Sequence, residues 1–447
     1  MFSFYRNHSN KSASSEEALH DVALHDKKVQ ILNKEYSLSR KQLAGLLLGN
    51  IIEYYDYILY GLMTPVIATL FFPSDDRLTS LLNSFVLFAS GMLIRPVSGV
   101  ILGYLGDCYG RRRVLLLSCF ATGLGTFGIG CLPDAASAGV MATVLLVLLR
   151  LLQGFGMAGE FCSVLVCLGE MAPPSRRGFI TSLAHSSGML GTLLSSLVVA
   201  LIYLLPDEQL YSWGWRLPFW FGGIVCFTAW GARKKLPRLP DNNAEPINTR
   251  LYTSEYVGLL RMLMVVGVNT LIFHLFFVFF STQMIEILAI PKQTAMLINS
   301  INLVGLVAFS ALGGWLGDRF GRRKVYSLCL TCITLISVPA YSLLNEGYGW
   351  VACAIVQGVF AMLGGCTLGV SSALYTELLP ARIRMSGTMV PYNIAIVVFG
   401  GTAPLIAIGL MEWTGTVSAP GYYLSLVCLL AFLLQRRIRD KTGLILE

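Results

Sequence analysis

Apolar residues run along the chain in long stretches broken by short polar turns. Twelve stretches stand out, at about 42–72, 81–105, 114–132, 139–169, 178–204, 215–233, 259–287, 295–316, 325–343, 349–376, 386–411 and 421–435. Most match the roughly 20 residues that a helix needs to cross a bilayer. The pattern predicts an all-α polytopic membrane protein with twelve transmembrane helices.

Composition agrees and narrows the class. Hydrophobic residues make up 55% of the 447 residues and charged residues 13%, about half the charge of a typical soluble domain. Mean hydropathy is +0.66. A soluble globular chain, a disordered chain and a disulfide scaffold are excluded. The net charge of +8 follows topology. With the N-terminus placed in the cytoplasm, 28 of the 33 lysines and arginines fall in the segments on that side, as the positive-inside rule requires. Nucleic acid is therefore not an expected partner. The first 41 residues lack an apolar core, so no cleaved signal is expected, and both termini are placed in the cytoplasm. The cysteines lie almost all within spans, where they act as small hydrophobes. The Cys329-x-x-Cys332 pair has no nearby second pair, and no metal site is expected. Gly123-x-Gly125-x-x-Gly128 sits inside span three and reads as close helix packing rather than as a nucleotide loop.

Repeats divide the chain. Gly106-Asp107-Cys108-Tyr109-Gly110-Arg111-Arg112-Arg113 follows span two, and Gly317-Asp318-Arg319-Phe320-Gly321-Arg322-Arg323-Lys324 follows span eight. Glu170-x-x-Pro173-x-x-x-Arg177 follows span four, and Glu377-x-x-Pro380-x-x-x-Arg384 follows span ten. The nearly equal offsets predict two six-helix halves of the same orientation, a transporter plan. The expected organisation is a cytoplasmic segment 1–41, an N-terminal bundle 42–233, a cytoplasmic linker 234–258, a C-terminal bundle 259–435 and a tail 436–447.

At these residues the chain resembles the major facilitator superfamily, whose signature loop is G-D-x-x-G-R-R-[RK]. More narrowly it is similar to the bacterial metabolite:proton symporters, which include carriers of proline and betaine, shikimate, α-ketoglutarate and citrate. The similarity rests also on Gly49-Asn50-x-x-Glu53-Tyr54-Tyr55-Asp56, Arg95-Pro96, Arg150-x-x-Gln153-Gly154, Gly159-Glu160 and Gly214-Trp215-Arg216-Leu217-Pro218-Phe219. Tyr54, Cys108 and Ala158 depart from the family's usual residues. The resemblance implies a gate latch formed by Asp107, Arg111, Arg112, Asp318, Arg322, Arg323, Glu170, Arg177, Glu377 and Arg384.

The spans carry candidate chemistry of their own. At 100° per residue, Asn50, Asp56, Tyr57, Tyr60 and Thr64 lie within about 60° of Glu53, a polar stripe along an apolar helix. Two carboxylates in a span are costly unless they serve a purpose. Glu53 and Asp56 are the expected proton-coupling groups. Span four places Arg150, Gln153, Met157 and Glu160 on one side, and the Arg150 guanidinium suits a carboxylate, either of a helix acid or of a substrate. Arg95 and Glu160 are expected to form structural ion pairs. In the second half, where the spans are nearly uncharged, Asn269, Asn299, Asn302, Tyr392 and Asn393 supply neutral hydrogen-bonding groups. The expected substrate-binding set is Arg150, Gln153, Tyr57, Tyr60, Asn269, Asn299, Asn302, Tyr392 and Asn393. His274, among phenylalanines, reads as a packed neutral side chain.

The expected function is proton-coupled import of a small organic metabolite, such as an amino acid, a betaine-type osmolyte or a carboxylate. An exporter or antiporter of the same fold is the alternative, although span five lacks the Gly-Pro pattern associated with antiport. No enzyme chemistry, no catalytic residue and no cofactor are expected, the proton gradient being the energy source. The expected form is a monomer in the bacterial inner membrane, with protons, substrate and lipid as its partners.

Overall fold

The computed structural model describes residues 39–72, 91–234, 255–345, 349–436, 440–444 and 446. Nearly all of the expected segment 1–41, the start of span two and most of the linker 234–258 lie outside the described residues. Helices occupy each of the twelve expected stretches, and no strand occurs among the described residues.

In chain order the long helices of the first half are α1 Arg40–Phe71, α2 Arg95–Tyr109, α3 Arg111–Gly130, α4 Val140–Met171, α5 Arg177–Ile202 and α6 Arg216–Arg233. In the second half, α7 Tyr256–Phe273 continues through π-helical turns at His274–Phe279 and Gln283–Ile287. It is followed by α8 Lys292–Phe320, α9 Arg322–Ser342 and α10 Gly349–Glu377. Next come α11 Arg384–Ala395, a π turn at Ile396–Gly401 with a helical continuation Ala403–Thr414, and α12 Ala419–Gln435. Eight described helices are long and apolar enough to cross a membrane. The charged and tyrosine-rich α1 is not among them, because its polar stripe dilutes its hydropathy.

Local chemistry sets the ends of these helices. Ser39 and Gln42 form a reciprocal capping box at the start of α1, satisfying two backbone donors that would otherwise lack partners. Between α2 and α3 the chain reverses at Gly110 (φ 93°), and between α8 and α9 at Gly321 (φ 97°). A side chain is strained at such angles, which explains the second glycine of each repeated loop.

Packing repeats in the two halves. α1 lies on α5 as α7 lies on α11, and α3 lies on α6 as α9 lies on α12. The halves meet where α5 packs on α8 and α10, and where α2 packs on α11. Large apolar side chains are also exposed around the outside, among them Leu148, Leu197, Leu335, Leu405 and Leu426. An apolar exterior around a core that also holds buried charge is what a lipid solvent selects.

Candidate substrate cavity and gate latch

α1 carries the polar stripe into the core, but its neighbours split it into three environments. Asn50 faces α5, donating from Nδ2 to the Ala184 carbonyl (2.5 Å) and the Ser187 hydroxyl (2.8 Å). Asp56 faces α3 and α4. Its carboxylate accepts from Gln153 Nε2 at 3.0 and 2.9 Å, and the same amide lies 3.0 Å from Thr126 Oγ1. Gln153 Oε1 accepts from Arg150 Nη1 at 2.7 Å, and the Arg150 guanidinium stacks over the Tyr60 ring at 3.9 Å. Arg150 and Asp56 are thus joined through Gln153.

Glu53 belongs to the third environment. It lines a cavity between the halves, with Tyr54 and Tyr57 from α1, Arg95 from α2, His185 from α5, Asn269 from α7, Tyr375 from α10 and Tyr392 from α11. Glu53 is 3% exposed, and its Oε2 is buried with no hydrogen-bond partner among the described residues. Its charged surroundings are Glu160, Arg95, Arg233 and Asp56. An ionised oxygen left without a donor is costly in a dry interior.

Arg95 is held from the opposite half. Its Nε donates to Asn393 Oδ1 at 3.1 Å, while Asn393 Nδ2 donates to the Ala158 and Met389 carbonyls. The walls are aromatic. Phe161 stacks on Tyr392 (5.1 Å between centroids) and meets His185 edge-on (4.9 Å). His185 Nδ1 lies 2.9 Å from Ser372 Oγ across the halves. Asn269 donates to Ser371 Oγ (2.8 Å) and Tyr375 Oη (3.0 Å). His274 lines the cavity too, with Nδ1 donating to the Thr270 carbonyl at 2.8 Å.

Of the expected substrate-binding residues, the cavity is lined by Tyr57, Asn269 and Tyr392. Arg150, Gln153 and Tyr60 are not among its lining residues, because Asp56, Gln153 and Arg150 bond to one another in a buried chain of their own. Asn299 and Asn302 bond to Gln357 within the second half. Asn393 acts as the support of Arg95 rather than as a wall. Arg95, expected to pair with Glu160 or with the loop carboxylates, instead donates through Nε to Asn393, and Glu160 is bound by Arg233, whose Nη1 donates to Glu160 Oε1. Arg233 sits at the end of α6 and had every appearance of a topological charge, yet its side chain is fully buried. Sequence reasoning missed both His185, which lines the cavity, and the buried Arg233. The run Ala184-His185-Ser186-Ser187-Gly188 in span five was the one available signal for the histidine.

The repeated loops converge at one end of the bundle, where each half binds the other. Asp107 accepts from the backbone N–H groups of Met385 (3.0 Å) and Ser386 (2.9 Å) and from the Ser386 hydroxyl (2.5 Å). It therefore caps the start of α11. Asp318 accepts from the N–H groups of Gly178 and Phe179, both at 2.8 Å, and caps α5. Each carboxylate meets the positive end of the opposite half's helix dipole. Glu170 binds Arg111 and Arg384, both at 2.6 Å, and Glu377 binds Arg177 (3.1 Å) and Arg322. Every one of these glutamates is shared by an arginine from each half. The tail adds to the same surface, the Leu444 carbonyl accepting from Arg177 Nη1 at 3.1 Å.

Arg112 and Arg323 do not join this latch. Arg112 donates to the Lys234 carbonyl at the end of α6, and Arg323 to the Arg436 carbonyl at the end of α12. Each satisfies an orphan carbonyl inside its own half, because the second residue after the loop glycine points away from the interface.

A cavity between two halves, bridged at one end by duplicated helix caps and ion pairs, is transporter geometry. Residues 46–262 and 262–443 match the sequence profile of the Major Facilitator Superfamily. The chain belongs to the major facilitator superfamily. This transporter is 30% identical over 393 residues to the citrate-proton symporter of Klebsiella pneumoniae, covering 86% of this chain and 88% of that protein. It is 30% identical to the alpha-ketoglutarate permease of Escherichia coli (89% and 93% covered) and 26% identical to the proline/betaine transporter of Salmonella typhimurium (88% and 82% covered). Its fold is similar to that of the proton:xylose symporter XylE, with a TM-score of 0.69 at 17% identity, covering 91% of this chain and 97% of that one. The E. coli fucose:proton symporter has a TM-score of 0.64 at 15% identity (88% and 97% covered). The transporter is a multi-pass bacterial inner-membrane protein and not an enzyme.

Proposed function

We propose that this transporter couples inward proton flow to uptake of a small, carboxylate-bearing organic metabolite, with Glu53 carrying the proton and Arg95 receiving the substrate carboxylate. The observation that carries this reading is the Glu53 carboxyl in the cavity, with one buried oxygen unpartnered and Arg95 among its neighbours. The symporters among its relatives support proton coupling. Charge balance supports the substrate class. Among the described residues, the membrane core of the first half buries three acids, Glu53, Asp56 and Glu160, and three arginines, Arg95, Arg150 and Arg233. A proton alone makes this set positive. A proton arriving with one carboxylate leaves it neutral, which avoids an uncompensated charge in low dielectric.

In this reading the latch end faces the cytoplasm with both termini and the linker 234–258. The bundles 42–233 and 259–435 rock as two bodies of a monomer, and the latch is intact while the cavity faces outward. Uptake of radiolabelled citrate, α-ketoglutarate, proline and glycine betaine into proteoliposomes tests it, with an acidic exterior and a pH dye inside. At least one carboxylate should accumulate with internal acidification. Glu53→Gln should abolish accumulation yet retain exchange at zero gradient. Accumulation by Glu53→Gln at the wild-type level would overturn the assignment.

A further inference from the structure

Arg233 and Glu160 are more than a packing pair. The guanidinium donates to Glu160 through Nη1, to the Leu46 carbonyl through Nη2 (3.1 Å) and to the Gly45 carbonyl through Nε (3.4 Å). It fills the space beside Gly49, where a Cβ would lie 1.9 Å from Nη2. Gly49 is one helical turn before Glu53 and about 40° from it around α1. The pair therefore sits one turn from the cavity carboxyl, on nearly the same face, towards the latch end. Glu160, like Glu53, has a buried Oε2 with no hydrogen-bond partner among the described residues.

The groups facing the two acids come from every neighbouring helix: α4 supplies Cys162, and the cavity adds Tyr54, Tyr57, His185, Tyr375 and Tyr392. α1 supplies Asp56 beside Glu53, and α2 supplies Arg95. Cys119 of α3 lies beside Glu160 and Arg233, and α6 supplies Cys226 and Arg233. Among these, Glu160 and Arg233 are the opposite charges on the latch side of Glu53.

We propose that the Glu160–Arg233 pair is the positioning element that controls loading and unloading of the proton at Glu53. The proposal rests on the proton reading of Glu53. Glu160 opposes a second negative charge beside it and so favours the loaded carboxyl, while Arg233 compensates Glu160 and favours release. Arg233 is tied to α1 carbonyls near the latch end. Movement of α1 against α6 changes that compensation, and proton release is thereby linked to opening.

Infrared titration of the purified full-length transporter without substrate tests the proposal. The carboxylic-acid C=O band of Glu53 is identified by its loss in Glu53→Gln. In Glu160→Gln the uncompensated Arg233 charge should move the half-titration point of that band by about one pH unit or more towards acid. Arg233→Gln should move it the opposite way, and the charge-conserving Glu160→Asp should leave it near the wild-type value. If Arg233→Gln does not fold, the contrast between Glu160→Gln and Glu160→Asp decides alone. A Glu53 band with the same midpoint in folded Glu160→Gln as in the wild type overturns the positioning role and leaves the proton site standing. If no titrating band is lost in folded Glu53→Gln, the proton site is overturned, and this proposal with it.

Discussion

Replacing Asp107 by Asn perturbs the latch at a site where the loss is calculable. The carboxylate accepts two backbone N–H bonds and one hydroxyl bond at the first turn of α11. An amide keeps one acceptor oxygen, turns an NH2 group against an N–H donor, and removes the charge that meets the helix dipole. Hydrogen bonds to a charged group contribute about 1.5–3 kcal/mol and the helix-end charge about 0.3–1 kcal/mol, so the latched state should lose roughly 2–4 kcal/mol. At tenfold per 1.4 kcal/mol, the ratio of open to latched molecules rises roughly thirtyfold to a thousandfold. Pulsed electron-spin distance measurement reads this directly. Labels are placed at the exposed positions Arg113 and Lys324, one on each half, in a background with the native cysteines replaced. The wild type should give a short distance, and Asp107→Asn a dominant longer one. Asp318→Asn should do the same, since Asp318 caps α5 in the equivalent way. Identical distance distributions in all three proteins would refute the latch and leave these loops as topological charge alone.

Three further outcomes follow from the same geometry. Arg95→Lys should bind the transported carboxylate at least about tenfold more weakly, a loss of ~1.4 kcal/mol, whereas Arg150→Lys should lower thermal stability with little change in calorimetric affinity; the reverse order would return the ligand role to Arg150. Gly49→Ala should expel Arg233 and strand Glu160, costing about 3–5 kcal/mol, and a melting temperature equal to wild type would refute that packing. Arg112→Gln and Arg323→Gln should leave the label distance unchanged, since both arginines bond within their own half, and a shift comparable with that of Asp107→Asn would place them in the latch after all.

The sequence by itself determined the features that depend on local pattern and on the solvent. Helix after helix is legible because a lipid-exposed backbone must satisfy its own hydrogen bonds, which leaves long apolar runs with few alternatives. The repeated Gly-Asp-x-x-Gly and Glu-x-x-Pro-x-x-x-Arg frames were legible for a different reason: a duplicated interface needs duplicated residues. The stripe on α1 was legible as a stripe. Its division was not, because periodicity assigns a face while neighbouring helices decide what that face meets. Asp56 went to Gln153 and Thr126, and Glu53 went to the cavity, though the two are only three positions apart. Partner choice lay further beyond reach. Glu160 meets Arg233 across 73 residues, and nothing in either segment's pattern names the other. A buried charge takes whichever opposite charge the packing delivers within reach, and only the tertiary structure decides that.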